Sequence, residues 1–186
     1  VSAPAKAPLA VDLQSSVRQG LPSAARVTAW ARAATGARGR GAEIAVRVVG
    51  LAEGRRLNLV WRGRDYATNV LSFPVPAGAA ASPRGAVRGL PRRGRRRFLG
   101  DIVLCAPVLA REAKQQGKAP LAHWAHLVVH GCLHLLGYDH ERPTDARRME
   151  RRERRVLAGL GFPDPYLSDD LLEGAPVGAP DGDAHG

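Results

Sequence analysis

Apolar and polar residues alternate from Leu9 to Gln14, and this period of two predicts a short strand. The spacing then lengthens. Leu21-Pro22-Ser23 reads as a helix start, with Val27, Trp30, Ala31 and Ala34 on one helical face. Gly36 to Gly41 reads as a loop, and Glu43-Ile44-Ala45-Val46-Arg47-Val48 has the β propensity of a strand. Residues 51–61 predict a helix with Leu51, Leu57, Leu59 and Val60 apolar. Asn69 to Phe73 predicts another strand, ended by Pro74.

The pattern then breaks. Residues 75–97 hold Pro, Gly and Ala and then arginines, without a periodic apolar face, which predicts a long mobile loop. Phe98 to Cys105 predicts a strand. Pro107 opens a helix that Gly117 closes, Pro120 opens a second to about Leu136, and Pro143 opens the last, to about Leu160. In the last helix Arg and Glu alternate, and pairs such as Glu150–Arg154 predict mostly solvent-facing support. The tail from Tyr166 is acidic and carries Gly and Pro, a composition that predicts disorder. Helices and strands interleave irregularly. The expected class is therefore α+β or mixed α/β, with one small sheet covered by helices. A single domain is expected over 1–165, with 75–97 as its basic loop and 166–186 as a tail.

Composition adds a charge asymmetry. The chain of 186 residues has 28 basic and 17 acidic residues, a formal net charge of +11. All 28 basic residues lie at or before Arg155, while six of the acidic ones follow Gly161. The body is therefore far more basic than the whole, which favours a polyanionic partner. There are 25 Arg and only 3 Lys, with much Ala and Gly, as a GC-rich genome produces. That bias explains Arg over Lys but not base over acid. Two cysteines, Cys105 and Cys132, are too few for a disulfide-stapled scaffold. No apolar run reaches the roughly 18 residues of a membrane span. Val1 to Gly20 lacks a basic start followed by an apolar run, so no signal peptide is expected, and a reducing cytoplasm is the expected location.

The chemistry concentrates in His130-Gly131-Cys132-Leu133-His134-Leu135-Leu136-Gly137-Tyr138-Asp139-His140. Positions four apart on a helix share a face, so His130 and His134 can present two imidazoles to one cation. Gly137 can take the left-handed conformation that ends a helix and turns the chain back. The returning segment can bring His140 to the same point. Three nitrogens with an open fourth position is the catalytic pattern for zinc. Other divalent ions such as nickel also suit histidine ligands. The spacing is that of the metzincin peptidases, but their general-base Glu is replaced by Gly131, which argues against peptide hydrolysis. His126 shares the face but lies about 12 Å of helix axis from His134, too far for the same ion. It is expected in the core, behind a ligand, or facing substrate. His123 is expected on the helix surface or in packing, and Cys132 on another side from the ligands. Asp139 is a candidate carboxylate partner for a ligating histidine.

Three separate stretches carry a resemblance. Leu57-Asn58-Leu59-Val60-Trp61-Arg62-Gly63-Arg64-Asp65 through Thr68-Asn69-Val70-Leu71-Ser72-Phe73-Pro74 resembles the first signature of the bacterial YbeY family. Gly100-Asp101-Ile102-Val103 resembles its second, and His130 to His140 its third. The match spans roughly residues 41–167. The resemblance implies an α+β fold, with a three-histidine metal site like that of zinc peptidases on His130, His134 and His140. It implies a single-strand-specific, metal-dependent endoribonuclease in rRNA maturation, notably at the 16S 3′ end, and in ribosome quality control. The functional arginine of the family falls on Arg62. The implied partners are rRNA, ribosomal subunits and a ribosomal protein, with neither DNA nor membrane. The chain departs from the family pattern at Ala67, where Pro is usual, at Trp61, where Tyr is usual, and in its longer basic loop.

The residues support this reading on their own terms. Arg62 can grip phosphate oxygens bidentately and never deprotonates. Arg92, Arg93, Arg95, Arg96 and Arg97 would add RNA affinity by counterion release, with little sequence discrimination, or else form a solvated insertion without a role. The alternative function is a non-catalytic ribosome assembly factor whose one metal ion, zinc or another, is structural.

Overall fold

The structure, a computed structural model, describes residues 7–75 and 96–167. Among the described residues, four strands form one sheet: β1 (Ala10–Ser15), β2 (Ala42–Val49), β3 (Val70–Pro74) and β4 (Arg97–Cys105). Five described helices surround it: α1 (Ala24–Thr35), α2 (Leu51–Arg62), α3 (Ala106–Gln115), α4 (Pro120–Leu135) and α5 (Pro143–Gly159). Helix and strand limits agree with the apolar periodicity to within about two residues. Gly36–Gly39, expected as loop, forms a short 3-10 turn.

The strand order is β1-β2-β4-β3. β1, β2 and β4 run parallel, and β3 pairs antiparallel to β4 at one edge. A central parallel strand is covered on both faces, which is why β2 is almost continuously apolar rather than alternating. The sheet is mixed and helix-covered, an α+β architecture.

Successive side chains of a strand point to opposite faces, and the core divides accordingly. Ile44, Val46 and Val48 of β2 with Ile102 and Leu104 of β4 meet α1, α4 and α5 in the larger cluster. Val49, Val103, Cys105 and Leu71 meet Leu57 of α2 in a smaller cluster on the other face. Helix α4 is central to the larger cluster. Trp124, Ala125, Leu127, Val128, Val129, Cys132, Leu133 and Leu135 are all buried there. Its remaining stripe carries the histidines.

Of the 75–97 loop, residues 76–95 lie outside the described residues, and so do Arg92, Arg93 and Arg95. Arg96 donates to the Pro8 carbonyl (2.7 Å) and Arg97 to the Arg38 carbonyl (2.6 Å). Both guanidinium groups therefore pin the sheet margin. The described chain continues to Leu167, and Tyr166, assigned to the tail by composition, packs against the body. No described helix is long and apolar enough to cross a membrane.

Candidate metal centre

The centre begins with a close approach of helix to sheet. A Cβ on Gly131 would lie 2.9 Å from Ile102 Cγ2, so α4 can settle on β4 only with glycine there. This is the position where a metzincin carries its catalytic Glu, and the sheet occupies that space. The helix then ends at Gly137, whose φ is +83°. Gly137 N–H donates to the His134 carbonyl (2.9 Å) and Tyr138 N–H to the Leu133 carbonyl (3.0 Å), the paired bonds of a Schellman cap. Arg38 satisfies the Leu136 carbonyl from outside (2.9 Å). The chain reverses, and Arg148 lies over the Tyr138 ring at 5.3 Å.

That reversal delivers His140. Its backbone N–H donates to Asp139 Oδ1 (2.7 Å), which fixes the bend. Asp139, the carboxylate candidate offered by the sequence, thus serves the backbone turn, and no described hydrogen bond joins it to an imidazole. The rings of His130 and His134 lie 4.7 Å apart, His134 and His140 4.9 Å, and His130 and His140 5.5 Å. One nitrogen from each lies within 4.8 Å of the others.

The donor set fits a divalent ion. Four-coordinate zinc at about 2.0–2.1 Å sets its nitrogens about 3.3 Å apart. Nε2 of His130 and Nε2 of His134 stand 3.1 Å apart. Burial, and then the neighbouring His130 and His140, push the His134 pKa down to about 4. Its imidazole is neutral near pH 7, the state a metal requires. Cys132 is not a competing ligand. It is fully buried, and desolvation pushes its thiol up to about 12.

The carboxylate beside the centre comes from α5. Glu153 Oε1 accepts from His130 Nδ1 at 2.8 Å, and Glu153 is completely buried. Burial pushes its carboxyl up, but the neighbouring His126 and His130 outweigh that and hold it at about 2. The alternating Arg and Glu of α5 suggested a solvated helix and concealed this residue. A signal was present: Met149, Glu153, Val156 and Leu157 recur at spacings of three and four and form the buried stripe. Tyr166 donates its hydroxyl to Glu153 Oε2, a contact that composition gave no means of finding.

His126 lies one turn before His130 on α4, beside Glu153. Its Nε2 is 3.8 Å from Glu153 Oε1, and its ring meets Tyr166 edge-on at 5.6 Å. His123 is buried and pairs with Glu112 (3.0 Å), which also accepts from Asn69 (3.0 Å). This cluster joins α3, α4 and the start of β3. Arg62 is the last residue of α2 and is exposed. Its helix packs on the face of the sheet opposite α4, and no described hydrogen bond or ion pair ties it to the histidines.

The sequence profile described as Endoribonuclease YbeY matches residues 13–161. The chain belongs to the YbeY family. An Endoribonuclease YbeY from Alkalilimnicola ehrlichii is 56% identical over 155 residues, covering 82% of this chain and 87% of that protein. Another of that name, from Halorhodospira halophila, is 54% identical over 147 residues, or 78% of this chain and 88% of the relative. A third, from Stenotrophomonas maltophilia, is 50% identical over 167 residues, or 88% of this chain and 98% of the relative. The YbeY match includes Arg62, His130, His134, His140 and Glu153, whereas Tyr166 lies beyond it.

Proposed function

We propose that this chain is a metal-dependent endoribonuclease that cuts single-stranded RNA during rRNA maturation, notably at the 16S 3′ end, and in ribosome quality control. The observation that carries the reading is the convergence of three imidazoles in a member of the YbeY family. One zinc ion is the proposed cofactor, held by His130, His134 and His140. When bound, zinc supplies Lewis acidity, polarising a phosphoryl oxygen and acidifying water.

The chain's own residues do the rest. Gly137 and Asp139 hold His140 against the two helical histidines. Arg62 grips a phosphate oxygen where negative charge accumulates during cleavage. The basic body draws RNA in with little sequence discrimination. The proposed partners are rRNA, the ribosomal subunits and a ribosomal protein, in the cytoplasm. Gly131, seated on Ile102, leaves no place for the peptidase base, which disfavours peptide hydrolysis.

Purified protein should cleave single-stranded RNA, and His134→Ala and Arg62→Ala should each abolish cleavage. Full cleavage by both variants would refute the assignment. Arg62 is exposed at the end of α2 and makes no described hydrogen bond or ion pair, which favours one second reading: a ribosome assembly factor with a structural metal. Subunit binding that survives His134→Ala, with unaltered rRNA ends, would establish that alternative.

A further inference from the structure

The three histidines explain which atoms face the ion but not what orients them. An imidazole has two nitrogens, and a ligand nitrogen must be the one without the proton. His130 has its Nδ1 on Glu153 Oε1 and its Nε2 on the shared point with His134. Glu153 is buried on α5, its Oε2 takes the Tyr166 hydroxyl, and its Oε1 faces His130 Nδ1 as a hydrogen-bond acceptor. The proton of His130 therefore belongs on Nδ1, and Nε2 is left bare.

Glu153 is itself held from the far side. Tyr166 donates to Oε2, so the carboxylate cannot rotate away from His130. Tyr166 is fixed in turn. Its backbone N–H donates to Asp164 Oδ1 (3.0 Å), Asp164 pairs with Arg154 (2.9 Å), and the Arg154 guanidinium lies 5.1 Å over the Tyr166 ring. Residues 164–166 thus fold back onto α5 and close one side of the centre.

The geometry points to Glu153, clamped by Tyr166, as a positioning residue: it holds the His130 proton on Nδ1 and aims Nε2 at His134 and His140. The inference rests on the reading of the three histidines as a metal centre. The grouping of His126, His130 and Glu153 also has ligand atoms within 4.8 Å of one another. Its Nδ1 to Oε1 separation of 2.8 Å is a hydrogen-bond length, which favours positioning over a second ion.

The arrangement predicts an unusual response to Glu153→Gln. An amide has one oxygen and one NH2 group. With Tyr166 donating to the oxygen, the NH2 faces His130 and donates to Nδ1. The ring proton is then forced onto Nε2, the ligand atom. Zinc affinity should fall by about 10–100-fold, the range seen when such outer partners are lost. Adding Tyr166→Phe frees the amide to rotate, present its oxygen to His130 and restore the Nδ1–H form. The double variant should therefore bind zinc more tightly than Glu153→Gln alone.

Zinc affinity is read by competition with a chromophoric chelator on the tag-free full chain. The tautomer is read by 15N NMR of histidine-labelled protein in excess chelator above pH 7. The expected result is Nδ1–H His130 in the wild type, Nε2–H in Glu153→Gln, and partial recovery in the double variant. An unchanged tautomer and affinity in Glu153→Gln, even with lowered thermal stability, would overturn the inference. So would a second bound zinc that disappears in His126→Ala. If the wild type bound no zinc, the metal reading would fail, and the metal-free tautomer would still decide whether Glu153 sets the ring.

Discussion

At the scale of single residues, the centre depends on groups that look unremarkable. Gly131 lacks a side chain because Ile102 fills the space a Cβ would need. Gly131→Ala should cost about 1–3 kcal/mol by overpacking, seen as a lower urea midpoint with unchanged slope. His134 carries a pH dependence. Its folded pKa is pushed down to about 4, whereas the free side chain titrates near 6.5. Below about 6.5 the unfolded chain accepts a proton that the folded chain refuses, so stability drains away as the pH falls towards 4. In excess chelator, the urea midpoint should drop between pH 7 and 4.5, and His134→Gln should flatten that drop.

At the scale of elements, the turn after α4 does the assembling. Gly137 at φ +83° lets the helix stop and the chain reverse within three residues of His140. Gly137→Ala should cost about 1 kcal/mol in stability by forcing a side chain into the left-handed region. On the proposed three-histidine zinc site, it should also weaken zinc binding more than it weakens folding, because His140 is the side chain the turn delivers. This part of the site was legible in the sequence: two histidines one turn apart, a glycine and a third histidine encode a local geometry. The order of strands and helices was legible for the same reason, since apolar period reports local structure. Glu153 and Tyr166 were not. They reach the centre from α5 and from beyond it, and contacts between distant segments leave no local spacing to read. Asp139 was the nearer carboxylate in sequence, but the turn uses it for the His140 backbone.

At the scale of the molecule, charge is the dominant surface property. The excess of 28 basic over 17 acidic residues, with six acids confined to the last 26 residues, makes the body a polycation. Affinity for single-stranded RNA should therefore fall linearly on a log–log plot against salt, with a slope that counts the phosphates neutralised. A filter-binding series from low to physiological salt would show this, and a flat line would refute electrostatic capture.

The most direct test of the central claim is metal stoichiometry by native mass spectrometry on the tag-free chain with its His130→Ala, His134→Ala and His140→Ala variants. One divalent ion per wild-type chain, lost in each variant, is the predicted result. Wild-type protein without an ion, or a His140→Ala variant that keeps it as tightly as wild type, would contradict the three-histidine centre.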